Sequence, residues 1–358
     1  MRIGFFIPTM NWVGGAEWVT VNMINSLKEK GYDIVVYSAE KINVNQILEV
    51  YGRKISFNKE VHFYPYIFNP QDWQSIYSNI LRSRLFKFKC DILIDTFSNK
   101  PWPWVDVIYF QAGTYVSSFP NGLKSLYFLP FKTASLELNK GLNNQNKKAA
   151  ACSQFVANQI KNAIGLNVEV LHPPVSDFFK VSDVHPELRR NIVVTVSRLV
   201  KDKRLDIIPQ IAKLTSDNLF FVIAGYCRSY EALISMRKRI LELGVERKIL
   251  LIPNVTRERL RELLQKSKVY LHTAEKEAFG ISIIEAMSSG CVPIVPDSGG
   301  PTEFVPRRLR YTTVEEAASL VESAMLDWSP QKSEEFVQVT ENFSIETFSK
   351  KFLQFMRL

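Results

Sequence analysis

Residues 268–296 read KVYLHTAEKEAFGISIIEAMSSGCVPIVP. The run opens with an apolar strand, KVYLHT (268–273), and a loop that ends at Gly280. An apolar helical stretch then carries Ile281, Ile283, Ile284 and Met287, and a second apolar strand, VPIVP, follows at 292–296. Strand, helix and strand in succession are the unit of a parallel α/β sheet. Two carboxylates bracket the start of the helix, Glu277 in the loop and Glu285 eight positions on. The unpaired N–H groups of a helix N-terminus between two acids suit a ligand with hydroxyls at both ends and a diphosphate in the middle. The plainer alternative makes Glu285 an ordinary paired or solvated acid on the polar side of a buried helix.

The same alternation runs through the chain. Strand candidates in the first half are RIGFFIP (2–8), DIVVYS (33–38), DILID (91–95), VDVIYF (105–110), KAAACS (148–153) and VEVLHP (168–173). In the second half NIVVTVS (191–197), LFFVIAG (219–225) and KILLIP (248–253) precede the two already quoted. Several are apolar at consecutive positions, as strands covered on both faces must be. Stretches such as SYEALISMRKRILELG (229–244) read as solvated amphipathic helices. At 358 residues the chain exceeds one typical core, and each half has enough strands for its own Rossmann-like sheet. Pro173-Pro174 breaks the pattern near the middle. The expected organisation is a domain at 1–174, a second at 175–342 and a terminal helical segment at 343–358. Two such domains facing each other would bind ligands in a cleft at the C-terminal ends of their strands.

Composition narrows the class. A hydrophobic fraction of 46% and a charged fraction of 23% belong to a folded, water-soluble protein, and no apolar run approaches the roughly 18 residues that span a bilayer. MRIGFFIPTMNW, at the N-terminus, has no cleavage site of the signal-peptide kind. Cys90, Cys152, Cys227 and Cys291 are too scattered for a zinc site or a disulfide framework, which predicts reduced thiols in a cytoplasmic protein. His62, His172, His185 and His272 are equally dispersed, so no metal is expected.

The net charge is +9, and it is uneven: residues 82–148 hold ten Lys and Arg against four acids. In this region SIYSNILRSRLFKFKC (75–90) and GLKSLYFLPFKTASLELNKGLNNQNKK (122–148) interleave cations with Phe, Tyr and Leu. Residues 76–148 therefore fit peripheral contact with an anionic membrane surface, or amphipathic helices with charged outer faces. No nucleic-acid motif accompanies the charge.

Every other chemical signal follows a strand. Gly14-Gly15 after RIGFFIP make either a tight turn or a close backbone approach to a ligand. Arg198 and Lys203 leave NIVVTVS together and can both reach a diphosphate, Arg bidentately and Lys as a point charge; a solvated basic loop is the alternative. Gly225 ends LFFVIAG. Asn254 and Val255 follow KILLIP, where their backbone groups can line a base pocket. Asp297–Glu303 is a glycine loop suited to hydroxyls or phosphate, or a plain turn.

In this order, GGAE, SRL-x3-K, EAFGISIIEAM-SSG-PIV and SGGP-x-E-x-V resemble the family 4 retaining glycosyltransferases of GT-B fold, over nearly the whole chain. FSIETFSKKFLQFM (343–356) is similar to that family's closing helix, which crosses back to the first domain. The resemblance implies that Glu277 binds donor-sugar hydroxyls, that Glu285 binds the ribose, and that Arg198 and Lys203 hold the diphosphate and stabilise the leaving nucleotide. It places Gly15, Gly225, Asn254, Val255, Phe279, Gly280 and Ile281 at the donor, and Gly14 and Gln111 on the acceptor side. It implies no metal cofactor and a nucleotide-sugar donor. The motifs look most like mannosyltransferases that use GDP-mannose on lipid-linked or polysaccharide acceptors; UDP-glucose and UDP-N-acetylglucosamine are the other donors. The rival readings are a sugar-nucleotide epimerase of the same fold and a catalytically silent nucleotide-sugar-binding or membrane-scaffold subunit. Two departures stand out. Gln111 occupies a position where many relatives have His, and the stretch after Val305 (PRRLRYTT) is shorter than usual.

Overall fold

The computed structural model describes residues 1–11, 14–62, 87–100, 102, 104–113, 129–181, 183–227 and 230–358. The chain divides into two compact units: Met1–Pro174 with Phe348–Leu358, and Val175–Thr347.

The first unit is built on a seven-stranded sheet. Its strands are β1 (Arg2–Phe6), β2 (Asp33–Ser38), β3 (Lys59–His62), β4 (Ile92–Asp95), β5 (Val107–Phe110), β6 (Lys148–Ala151) and β7 (Glu169–Val170). They lie in the order β3-β2-β1-β4-β5-β6-β7, and every pairing is parallel. Ile3 and Phe5 on β1 and Ile34 and Val36 on β2 are fully buried, so the central strands are covered as a parallel sheet requires. The helix Gly15–Glu29 follows β1 and buries Trp18, Val19, Val21 and Ile24. Within this unit the end of the closing helix Ile345–Met356 is anchored by buried Phe348 and Phe352 and by a 2.7 Å bond between the hydroxyls of Ser349 and Ser26.

The second unit repeats the plan with six parallel strands: β8 (Arg190–Val196), β9 (Phe220–Gly225), β10 (Ile249–Pro253), β11 (Ser267–Leu271), β12 (Val292–Pro296) and β13 (Arg310–Tyr311), in the order β10-β9-β8-β11-β12-β13. The core runs through Val193, Val194, Phe221, Ile223, Val269, Leu271, Ile283, Met287 and Ile294. Arg189, just before β8, is 5% exposed. It donates to the carbonyls of Leu264, Ser267 and Ser289 at 3.1, 2.6 and 2.5 Å. Those carbonyls end the helices Arg257–Lys266 and Ile281–Ser288, so one buried cation satisfies the negative ends of two helices.

The expected strands all form. β3 and β13 are additional, because KEVH is a polar edge strand and Arg310–Tyr311 is only two residues long. The 229–244 stretch forms a helix over Tyr230–Glu242. Residues 76–86, 101, 103 and 114–128 of the basic 76–148 segment lie outside the described residues; Leu129–Asn143 in its last part is helical. No helix among the described residues is long and apolar enough to cross a membrane.

In the second sheet β8 lies between β9 and β11. Strand order therefore reverses at β8, and the crevice beyond the C-terminal ends of β8 and β11 is the topological switch point where open α/β sheets take ligands.

Candidate functional site

The loop leaving β8 is fixed by main-chain contacts with its neighbour. Ser197 N–H donates to Ala224 O at 3.0 Å, and Leu199 N–H to Tyr226 O at 2.9 Å. Gly225 makes this approach possible: its φ is +146°, and a Cβ there would lie 1.9 Å from Ser197 O. Asn254 N–H donates to Gly225 O at 2.7 Å, and its side-chain oxygen accepts from Cys227 N–H at 2.9 Å. Gly225 and Asn254 thus shape the rim of the switch point through the backbone, and Val255 beside them is half-buried. Arg198 is exposed, while a short 3-10 turn, Lys201–Lys203, brings Lys203 back to a half-buried position.

The loop leaving β11 meets that turn. Thr273 hydroxyl donates to Lys203 O at 2.6 Å, Lys203 Nζ lies 2.6 Å from Glu277 Oε2, and Arg204 pairs with Glu275. His272 Nε2 faces the same Glu277 oxygen at 3.4 Å. Burial by itself pushes the Glu277 carboxyl up. The neighbouring His272 ring and the Lys203 ammonium outweigh it and hold the group well below the ordinary carboxylate range. Both contacts fall on Oε2, which leaves Oε1 as an acceptor.

The glycine loop 297–303 is the floor of this arrangement. Gly300 N–H donates to Glu277 O at 2.8 Å, and Lys276 N–H to Ser298 Oγ at 3.1 Å. A Cβ on Gly299 would stand 2.5 Å from Glu277 O, and one on Gly300 2.3 Å from Ala278 O. The glycines therefore let two backbones touch, and they position Glu277 from beneath.

Beyond Glu277, Gly280 adopts φ +98° and opens the helix Ile281–Ser288. Ile283 N–H bonds Gly280 O at 3.0 Å, whereas the first-turn amides of Ile281 and Ser282 have no carbonyl within the helix to bond. Phe279 turns its side chain away, 3% exposed, against Phe304 and Phe343 at 5.4 and 5.5 Å; its main chain is what the loop presents. Glu285 lies one turn into the helix and is half-buried. Burial pushes its carboxyl up to about 7, against the pull of the Arg257 guanidinium. Tyr270 hydroxyl, 2.9 Å from Ser282 Oγ and 3.1 Å from Val196 O, ties the helix start to β8 and β11.

In the first unit Gly14 caps the helix Gly15–Glu29. Its N–H donates to the buried Glu17 at 2.8 Å, and its carbonyl accepts from Tyr51 hydroxyl at 2.5 Å. Gln111 Nε2 donates to Ala16 O at 2.9 Å and Thr96 O at 2.8 Å. Gln111 is therefore brought beside the Gly14-Gly15 turn with both amide hydrogens committed to main-chain carbonyls, bonds that a neutral imidazole, with one N–H, cannot duplicate.

The second unit thus brings Lys203, Glu277, Gly280 and Ile281 together, with Glu285 one turn further along. His272, Thr273 and the Arg204–Glu275 pair lie outside the motifs; the available clue was that all follow a strand end at the switch point. Among the described residues no group of three His, Cys, Asp or Glu side chains could hold a metal ion. A cavity of about 130 Å³ lined by Lys180, His185, Arg189 and Arg261 lies elsewhere in this unit. It shares no residue with the cluster, and its Arg189 is already committed to three carbonyls.

Two parallel Rossmann-like sheets are the two halves of a GT-B fold. Residues 178–337 match the family model for glycosyl transferases group 1, a span that holds Arg198, Lys203, Glu277 and Glu285, and the chain is a glycosyltransferase. It is 22% identical over 338 residues to the phosphatidylinositol N-acetylglucosaminyltransferase GPI3 subunit of Saccharomyces cerevisiae, covering 86% of this chain and 70% of that protein. It is 26% identical over 133 residues to the GDP-Man:Man(3)GlcNAc(2)-PP-Dol alpha-1,2-mannosyltransferase of Dictyostelium discoideum, covering 34% of this chain and 25% of that protein. The crystal structure of a glycosyltransferase from Rickettsia africae superposes with a TM-score of 0.73 at 19% identity, over 99% of this chain and 98% of that one; that likeness speaks for the fold.

Proposed function

We propose that the chain is a retaining glycosyltransferase that moves a hexose from a nucleotide-sugar to a lipid-linked or polysaccharide acceptor. The carrying observation is the Glu277 carboxylate, held through Oε2 by Lys203 at 2.6 Å with His272 Nε2 beside it at 3.4 Å, immediately before a helix N-terminus. In this reading Oε1 accepts from donor-sugar hydroxyls and Glu285 takes the ribose. Arg198, Lys203 and the amides of Gly280 and Ile281 hold the diphosphate. Asn254, Val255 and Gly225 border the base. Gly14 and Gln111 belong to the acceptor side. The rate arises from positive electrostatics on the departing phosphate, an interaction that strengthens as charge develops. Glu277, low in pKa and paired with Lys203, serves as a hydroxyl acceptor and not as a proton donor.

GDP-mannose is the favoured donor on the motifs, and the mannosyltransferase relative supports it. The GPI3 likeness, over 86% of the chain, favours a second reading with an N-acetylglucosamine donor. Both relatives are named for lipid acceptors, which supports a lipid-linked acceptor here, reached from the cytoplasmic membrane face through residues 76–148. The test is incubation with GDP-mannose or UDP-N-acetylglucosamine and a polyprenyl-diphosphate-linked sugar acceptor, with the anomeric configuration of the product read by NMR. Transfer with retention supports the reading; epimerised donor without transfer, or an inverted product, contradicts it.

A further inference from the structure

His272 follows β11 directly and is 3% exposed. Its main chain is fixed at both ends: its N–H donates to Ile294 O at 2.8 Å, and its carbonyl accepts from Tyr311 hydroxyl at 2.7 Å. Its ring lies nearly parallel to that of Tyr270, 16° between planes and 6.4 Å between centroids. The Nε2 atom is buried and makes no hydrogen bond of good geometry, yet it looks onto Glu277 Oε2 at 3.4 Å. A buried ring nitrogen without a partner is costly unless something completes it. A small rotation of the Glu277 carboxyl does so.

Lys203, the other hold on that oxygen, is of the opposite kind. Its ammonium sits on a four-carbon stem rising from a 3-10 turn, so it can move. A diphosphate arriving at the helix N-terminus carries more charge than one carboxylate and competes for the ammonium. Of the other cations nearby, Arg204 pairs with Glu275 and Arg257 lies beside Glu285, while Arg198 and Lys276 are exposed. The remaining ionisable neighbours, Tyr270 and Tyr311, have their hydroxyls bonded to Val196 and Ser282 and to His272 O.

We propose that His272 is a positioning residue: it takes over the hold on Glu277 Oε2 when bound diphosphate draws Lys203 away, and so keeps Oε1 aimed at the donor sugar. This rests on the reading of the cluster as a nucleotide-sugar site. Its signature is selective. Loss of the imidazole weakens the grip on the sugar and leaves the grip on the nucleotide alone.

The experiment is isothermal titration of the full chain with GDP-mannose, UDP-N-acetylglucosamine, GDP and UDP, for wild type, His272→Phe, His272→Gln and Glu277→Gln. For whichever sugar nucleotide the wild type binds, H272F is expected to bind about tenfold more weakly, the worth of one hydrogen bond to a charged group, with affinity for the bare nucleoside diphosphate unchanged. H272Q, which restores an N–H donor, recovers most of the loss, and E277Q shows the same selectivity as H272F. Should H272F not fold, His272→Ala is read in the same way. Unchanged sugar-nucleotide affinity in H272F, or an equal loss for the bare nucleotide, overturns the inference while the site reading stands. A wild type that binds none of the four compounds overturns the site reading, and the inference with it.

Discussion

Lys203 Nζ and Glu277 Oε2 lie 2.6 Å apart although 74 residues separate them in the chain. The pair joins the loops that follow β8 and β11, one on each side of the point where strand order reverses. Thr273 hydroxyl on Lys203 O and the Arg204–Glu275 pair close the same joint. A ligand's diphosphate and sugar would meet the two members of one ion pair.

Removing either cation should weaken nucleotide binding. Lys203→Ala and Arg198→Ala are each expected to cost about 1.5–3 kcal/mol of affinity for the preferred nucleoside diphosphate, measured by calorimetric titration. Wild-type affinity in both variants would count against the assignment.

The two glutamates should respond to pH with opposite signs. Glu277 is held below the usual range in the fold, whereas in the unfolded chain it titrates near ~4.3. Its contribution is complete above that value and is lost as pH falls. Glu285 is pushed up to about 7, so its contribution is complete below ~4.3 and is lost as pH rises through about 7. In thermal unfolding, the stability advantage of wild type over Glu277→Gln should shrink on acidification from pH 6 to 3. Its advantage over Glu285→Gln should shrink on raising pH from 4 to 7.5. Parallel curves for both variants would contradict the environments assigned to these groups.

Gly225 and Gly300 are required by backbone contact, and alanine at either should destabilise. A Cβ would meet Ser197 O at 1.9 Å or Ala278 O at 2.3 Å, and main chain cannot swing aside as a side chain can. The expected loss is ~3 kcal/mol for each, read from the midpoint of urea unfolding. Changes below about 1 kcal/mol would show that the loops can separate freely.

The basic segment carries its own test. With ten cations against four acids between residues 82 and 148, the protein is expected to float with vesicles containing phosphatidylserine and to stay behind with neutral phosphatidylcholine vesicles, and salt should weaken the association. Equal behaviour on both vesicles would remove membrane contact from the account.

What was legible in the sequence was whatever repeats locally. Runs such as NIVVTVS and VPIVP give both strands and parallel topology, because burial on two faces leaves an unbroken apolar string. The loops to watch followed from that, since each strand end is visible. KEVH and Arg310–Tyr311 escaped because edge strands need little apolar surface. The meaning of side chains within the loops was less accessible. Gly299-Gly300 read as a ligand loop or a plain turn; their packing against the backbone of residues 277–279 is a contact between separate segments that local pattern does not encode. His272 read as one of four scattered histidines until β11 and the Gly300 contact placed it against Glu277. Phe279 read as part of the donor surface, but its ring belongs to a cluster with Phe304 and Phe343. Gln111 stands where many relatives have His; its bonds to Ala16 and Thr96 show what an amide does there.

The most direct measurement is a thermal-shift screen of the full chain against GDP-, UDP- and ADP-sugars, with Lys203→Ala alongside. Specific binding stabilises a fold by about 2.7 kcal/mol at a hundredfold excess over Kd. At least one sugar nucleotide should therefore raise the Tm of wild type by several degrees, and the same compound should raise that of Lys203→Ala much less. Stabilisation of wild type by none of them, or equal stabilisation of the variant, would contradict the claim that the Lys203–Glu277 cluster is where a nucleotide-sugar binds.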